Sequence, residues 1–369
     1  MDVNLSSPID TILRSRAFQY YFGKVQFSPV VETPATGEGP FSIAADDLNA
    51  DGIADVVTAN YTSKNVSVLI GRGDGIFLKQ TPLSAGKYPY YVSLADVDGD
   101  GAKDIITGDY VDPQFAVLYG KGDGTFLPAQ IYPTGAGPRS LAVADLNGDG
   151  KTDIVTANTM KNTASVLLGQ GNRKFAAEVS YATGDGPVGV AIADLDGKPG
   201  PDVVVWERTA KNVSVFLNRG DGVLLGKKDL PGGTAPQTGI AIDANLDGIV
   251  DLVTGNEATN AIYLHVGKGD GTFEAPRSIG QSVYSRHIIG RDVNLDGIPD
   301  LIVANYVTTG SVSILLGDGT GNFPKVLNYP TGRATTGVAT GFANGDGKLD
   351  IFACNSISNN LSVLLSTSE

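Results

Sequence analysis

Residues 145–153 read DLNGDGKTD, and the same nine-residue pattern returns along the chain. It appears as DLNADGIAD at 47–55, DVDGDGAKD at 96–104, DANLDGIVD at 243–251 and DVNLDGIPD at 292–300. Two altered copies stand in the same series, DLDGKPGPD at 194–202 and FANGDGKLD at 342–350. The first positions fall at 47, 96, 145, 194, 243, 292 and 342, a spacing of 49 residues held five times and then 50. The extra residue lies between Asn305 and Gly317. A fixed period of this length marks one supersecondary unit stacked on copies of itself.

Each unit carries the same parts in order. A run of small apolar residues such as SLAVAD enters the acidic loop, and a run such as DIVTAN leaves it. An alternating run such as NVSVLIG follows, then a glycine-aspartate turn (GRGDGIF, GKGDGTF) and a last run ending near GxGP. Period-two alternation bounded by turn residues predicts four short strands per unit, A to D. Four-stranded sheets at this period predict an all-β, seven-bladed β-propeller of antiparallel blades. The last unit stops after LSVLL (361–365), whereas KVQFSPVVETPATGEGP (24–40) precedes the first and is similar to the fourth-strand stretch GTFLPAQIYPTGAGP (124–138). The N-terminal strand is therefore expected to pair with the last blade and close the ring, which removes exposed sheet edges. One domain is expected over 24–369. Residues 1–23 form an extension in which Ser7 and Pro8 suit the start of a short helix.

Composition bounds the function. The formal net charge of -13 argues against a nucleic-acid partner bound through a basic face. No apolar run approaches the roughly 20 residues of a membrane-crossing helix, so no membrane insertion is expected. Cys354 is the single cysteine, which leaves no internal disulfide and reads as a small buried hydrophobe. The first residues, MDVNLSSPID, lack a basic stretch followed by an apolar one, so no signal peptide is visible. Positions 1, 3, 5 and 9 of the seven loops hold 21 of the 40 acidic residues. Carboxylates so crowded are unfavourable without cations.

The loop pattern D-x-[DN]-x-D-G-x-x-D offers only oxygen ligands, with glycine at position 6 for the sharp turn. This is the opening logic of a calcium loop, and the flexible oxygen set suits calcium better than magnesium. Five sites are expected: Asp47, Asn49, Asp51, Asp55; Asp96, Asp98, Asp100, Asp104; Asp145, Asn147, Asp149, Asp153; Asp243, Asn245, Asp247, Asp251; and Asp292, Asn294, Asp296, Asp300. The competing reading is a purely structural acidic turn. The loops at Asp194 and Phe342 are not counted as sites: Lys198 takes position 5 in one, and Phe342 takes position 1 in the other. The Lys198 ammonium is expected to stand in for the cation beside Asp194, Asp196 and Asp202.

The loop, the V-S-V-L-L-G run, the G-D-G-T-F turn and the GxGP approach together resemble FG-GAP/VCBS-type repeats, over about residues 24–365. That resemblance implies the seven-bladed propeller of integrin α-subunits and calcium-containing propeller lectins, with calcium in the A–B loops and ligands at the opposite face. It implies an extracellular or cell-surface module that binds a glycan or a protein, here expected to be a monomer. The residues that differ from copy to copy after GxGP are Phe41, Tyr90, Tyr91, Arg139, Val188, Gln237, Arg286, His287 and Thr336. The B–C loops add Tyr61, Tyr110 and Tyr306. Aromatic rings beside charged groups suit sugar stacking or peptide docking, so Tyr61, Tyr90, Tyr91, Tyr110, Arg139, Arg286, His287 and Tyr306 are candidate ligand residues. Trp206 joins them as a stacking platform, or else fills a gap between blades. A polysaccharide-active enzyme using His287, Arg139, Arg286 and Tyr91 in the central funnel is the alternative, and a structural scaffold the third reading. The RGD tripeptides at 72–74 and 219–221 match KGD at 121–123 and 268–270, so they read as hairpin corners.

Overall fold

In the computed structural model, residues 25–28, 31–33, 37–79, 81–281 and 284–367 are described, and the helix expected within 1–23 lies outside them. Seven four-stranded antiparallel sheets follow one another around a ring. Blade 1 is typical: strand A spans Pro40–Asp46, B Asp55–Asn60, C Asn65–Gly71 and D Phe77–Lys79. The seventh blade takes its fourth strand from the other end of the chain, with Val31–Thr33 pairing antiparallel to Asn360–Leu364. Blades 1 and 7 then pack directly, Ile43, Val56 and Leu69 lying against Phe352, Leu361 and Val363. The hairpin joining strands C and D is closed by paired backbone at its ends, Gly169 opposite Phe175 in blade 3 as Gly120 is opposite Phe126 in blade 2 and Gly267 opposite Phe273 in blade 5.

Burial explains the residue types. Every second strand is buried along its whole length, as in DVVTAN and DIVTAN. Such a strand is covered on both faces and reads as β-branched and small residues throughout, not as an alternation. The outer strands are mostly exposed, as at Gln130–Pro133.

Each second strand begins with the position-9 aspartate, and all seven are fully buried. Each works as a tie. Asp55 accepts the Leu48 N–H at 2.9 Å on one oxygen and the Gly71 N–H at 2.8 Å on the other. The same pair of bonds recurs at Asp104, Asp153, Asp202, Asp251, Asp300 and Asp350. The carboxylate thus fastens the start of the acidic loop to the end of strand C, satisfying two buried backbone donors.

Candidate functional site

Strand A of every blade carries a break in register at its second residue. In blade 1 Pro40 opposes Asn60 and Ser42 opposes Ala59, leaving Phe41 without a partner of its own. The same break leaves out Tyr90, Arg139, Val188, Gln237, Arg286 and Thr336. These are β-bulges, which turn a side chain out of the regular alternation. All seven bulged residues line one cavity of about 80 Å³, to which every blade contributes. It is the mouth of the axial channel. The acidic loops lie at the other ends of the same strands, so the two candidate regions are on opposite faces.

Two arginines dominate the mouth. The side-chain oxygen of Gln237, in the amide orientation that satisfies both donors, accepts from Arg139 Nη2 at 2.6 Å and from Arg286 Nη1 at 2.7 Å. Arg286 Nη2 also donates to the Tyr90 hydroxyl. The Arg139 guanidinium lies 5.4 Å from the Tyr90 ring centre, and that of Arg286 lies 5.8 Å from Phe41 and 5.7 Å from Tyr306. These are cation–π distances. Burial lowers the Arg139 pKa from its ordinary value, and the nearby positive Arg286 adds to the effect. Neither arginine forms an ion pair among the described residues.

Beside the arginines stands an aromatic cluster from blades 1 and 2. Tyr90 lies 5.0 Å from both Phe41 and Tyr110, and Tyr61 lies 5.6 Å from Phe41 and 5.4 Å from Tyr88. Burial, then the neighbouring tyrosines, raises the Tyr61 phenol above its usual value. Tyr306, from blade 6, lies on the Arg286 guanidinium and 6.2 Å from Tyr284. Tyr88 and Tyr284 escape sequence reasoning because they precede the bulge at positions that turn residues usually occupy. Phe41 and Gln237 register there only as variable positions.

Three expected ligand residues are placed differently from the rest. Trp206 is fully buried, with its Nε1 donating to Thr254 Oγ1 at 2.9 Å. It packs with Val204 and Val213 against Leu252 of the next blade, and a Cβ added at Gly239 would meet it at 2.0 Å. The tryptophan is a wedge between blades 4 and 5, and the stacking-platform expectation is corrected. His287 lines the cavity but its Nδ1 accepts the Val338 N–H at 3.3 Å, and burial pushes its pKa down to about 4. Tyr91 lies deeper than Tyr90, its phenol pKa raised by burial.

On the opposite face, the loops coil around their first aspartate. Asp47 accepts N–H bonds from Asn49 and Asp51, each at 3.2 Å, and from Gly52 at 2.7 Å. Asp96, Asp145, Asp243 and Asp292 likewise accept from the following turn. Carboxylate oxygens of Asp96, Asp98 and Asp104 come within 4.8 Å of one another, and so do those of Asp194, Asp196 and Asp202. Both sets carry a basic neighbour. Arg173 Nε donates to Asp98 at 2.7 Å from above the Tyr119 ring, and Lys198 Nζ reaches Asp196 at 2.5 Å. Arg173 is invisible from the sequence because it arrives from the hairpin of the following blade. The other Asp98 oxygen is buried with no hydrogen-bond partner among the described residues. An orphaned buried oxygen in an all-oxygen donor set fits a hard cation such as calcium.

At the position-9 aspartates, burial raises the carboxyl pKa, to about 6 at Asp55 and Asp104 and about 7 at Asp300, with the two N–H bonds opposing it. The RGD segments are turn corners, each arginine paired with its own aspartate.

The FG-GAP-like repeat family matches residues 47–107, 96–156, 145–197, 243–303 and 292–353. No curated protein matches the chain. Among solved structures, an Agrocybe aegerita lectin described as recognising non-reducing terminal N-acetylglucosamine is 20% identical, with a TM-score of 0.57 over 85% of this chain and 84% of that one. BBS1N, solved in complex with ARL6DN, is 12% identical, with a TM-score of 0.65 over 94% and 99%. A functionally unknown protein from Desulfotomaculum acetoxidans is 14% identical, with a TM-score of 0.62 over 83% and 90%. At these identities the likeness is one of fold.

Proposed function

The chain belongs to the FG-GAP-like repeat family, and on that footing we propose that it is a calcium-stabilised extracellular binding module that takes carbohydrate at the mouth of its axial channel. One observation carries the reading. The seven bulged residues at equivalent positions are of six types, yet all line one cavity, where Phe41 and Tyr90 are flanked by Tyr61 and Tyr110 and Arg286 by Tyr306. Repeat positions that serve the fold look alike from blade to blade, whereas these do not. Tyrosine supplies a flat apolar face for a sugar ring and a hydroxyl for its polar edge. The lectin fold neighbour supports carbohydrate as the ligand class.

Calcium would be held by the loop sets around Asp47, Asp96, Asp145, Asp243 and Asp292, with Asp98 Oδ1 as the clearest waiting ligand. Bound there, it supplies positive charge to neutralise the crowded carboxylates. Exposed hairpin loops of this kind suit the millimolar calcium of extracellular fluids. The residues of the chain supply the rest: the position-9 aspartates hold each loop closed, and the position-1 aspartates coil it. Binding is favoured over polysaccharide cleavage because the cavity lining includes no Asp or Glu to act as the carboxylate pair of a glycosidase. In addition, the His287 Nδ1 lone pair is engaged by the backbone.

The test is a glycan array probed with calcium-loaded protein. Retention of one saccharide class unchanged, lost in Tyr61→Ala and Tyr90→Ala, is the expected result. Release of cleaved product supports the enzyme alternative, and capture of no glycan overturns the carbohydrate assignment. Chelation is expected to lower the melting temperature, since calcium at 100 times its Kd contributes about 2.7 kcal/mol per site.

A further inference from the structure

Arg139 and Arg286 approach from blades 3 and 6 and aim two guanidinium nitrogens at a single point, the Gln237 oxygen. The partners they have are neutral: an amide, a phenol and aromatic faces. Two acidic groups close in sequence to the rim are committed elsewhere. Glu257 pairs with Arg208 at 2.5 Å, and Asp109 accepts from the Lys87 N–H at 2.7 Å and from Gln114. The chain as a whole carries a formal charge of -13. Two half-buried arginines without a counter-ion among the described residues are therefore conspicuous, because like charges repel and desolvation makes each one costly. An anion between them would offset both penalties, and the fork of a guanidinium matches the paired oxygens of a carboxylate or sulfate.

Size narrows the ligand. The cavity of about 80 Å³ accepts a few water-sized groups but no hexose ring. A charged substituent can enter while its sugar ring stays at the rim, against Phe41, Tyr90 and Tyr110. The Tyr90 hydroxyl accepts from Arg286, which leaves its own proton to donate to the incoming group. On the reading of the mouth as a carbohydrate site, we infer that the ligand is an acidic saccharide whose carboxylate or sulfate is clamped between Arg139 and Arg286, in the place now taken by the Gln237 oxygen.

Titration calorimetry on the calcium-loaded full chain at low and at physiological salt tests this. The probes are sodium sulfate alone, a hexuronate-terminated oligosaccharide, a sulfated oligosaccharide and a neutral hexose-terminated counterpart. The expected result is that at least one acidic oligosaccharide binds at least tenfold more tightly than the neutral one, and that physiological salt weakens it. Arg139→Gln and Arg286→Gln are each expected to weaken that binding at least tenfold. The double variant Arg139→Lys with Arg286→Lys, which keeps the charge, is expected to recover part of the sulfate binding and guards against a loss caused by misfolding. Equal affinity for acidic and neutral saccharides, unmoved by either Gln variant, overturns the clamp while leaving the carbohydrate site standing. Sulfate binding that needs both arginines, with no saccharide bound, keeps an anion site but overturns its assignment to a saccharide. No binding of any probe overturns both.

Discussion

Replacing Asp350 by alanine isolates the aspartate tie from calcium. Asp350 is fully buried, and its oxygens accept the Ala343 N–H and the Ser366 N–H, both at 2.8 Å. Blade 7 is chosen because Phe342 holds the first loop position, where the other blades have a carboxylate. Removing both acceptors deprives two buried donors of their charged partner, at roughly 1–3 kcal/mol each. Part of this is offset, since burial of the carboxylate is itself unfavourable and raises its pKa. The expected net loss is about 2–4 kcal/mol. Asp350→Asn keeps one acceptor oxygen but turns an amide N–H₂ toward the other donor, so about half that loss is expected. Urea unfolding with calcium and with a chelator measures both. The loss is expected to be equal in the two conditions. A loss under about 0.5 kcal/mol would refute the tie as a stabilising device. A loss present in calcium and absent in chelator would make Asp350 a metal ligand instead.

Three further outcomes follow from particular side chains. Trp206→Ala empties the wedge between blades 4 and 5, with an expected loss of about 3–5 kcal/mol in unfolding experiments. Saccharide affinity of the folded variant is expected to be unchanged, and a selective loss of affinity would return Trp206 to the binding site. His265 is fully buried where neighbouring blades have Leu or Phe, and burial pushes its pKa down to about 4. A depressed histidine favours folding above pH 6.5 and costs stability as pH falls toward 4. His265→Leu should therefore gain roughly 2.5 kcal/mol over the parent between pH 7 and pH 4.5; equal acid sensitivity of the two proteins would count against it. Lys198→Asp with Pro199→Gly should add one calcium ion to the stoichiometry read by native mass spectrometry. An unchanged count, with the parent loop already occupied, would show that the Lys198–Asp196 contact at 2.5 Å does not substitute for metal.

The number of blades, their four strands and the position of every acidic loop follow from the sequence by itself. These features rest on local rules, glycine at turns, alternation along strands and aspartate at loop starts, and the chain states each rule in at least six of its seven copies. A departure such as Lys198 or Phe342 stands out against the other copies. The mouth is different. It joins residues as far apart as Phe41 and Thr336, and what aims them is a bulge that no single residue type encodes. Trp206 shows the same limit: its size is plain in the sequence, but only the gap left by Gly239 of the next blade decides that it points into the core. Likewise Arg173 reaches Asp98 from 75 residues away, from the C–D hairpin of blade 3. Local chemistry builds each blade, while the rotation from one blade to the next sets which side chains meet. Those meetings at the axis and between blades belong to the tertiary structure alone.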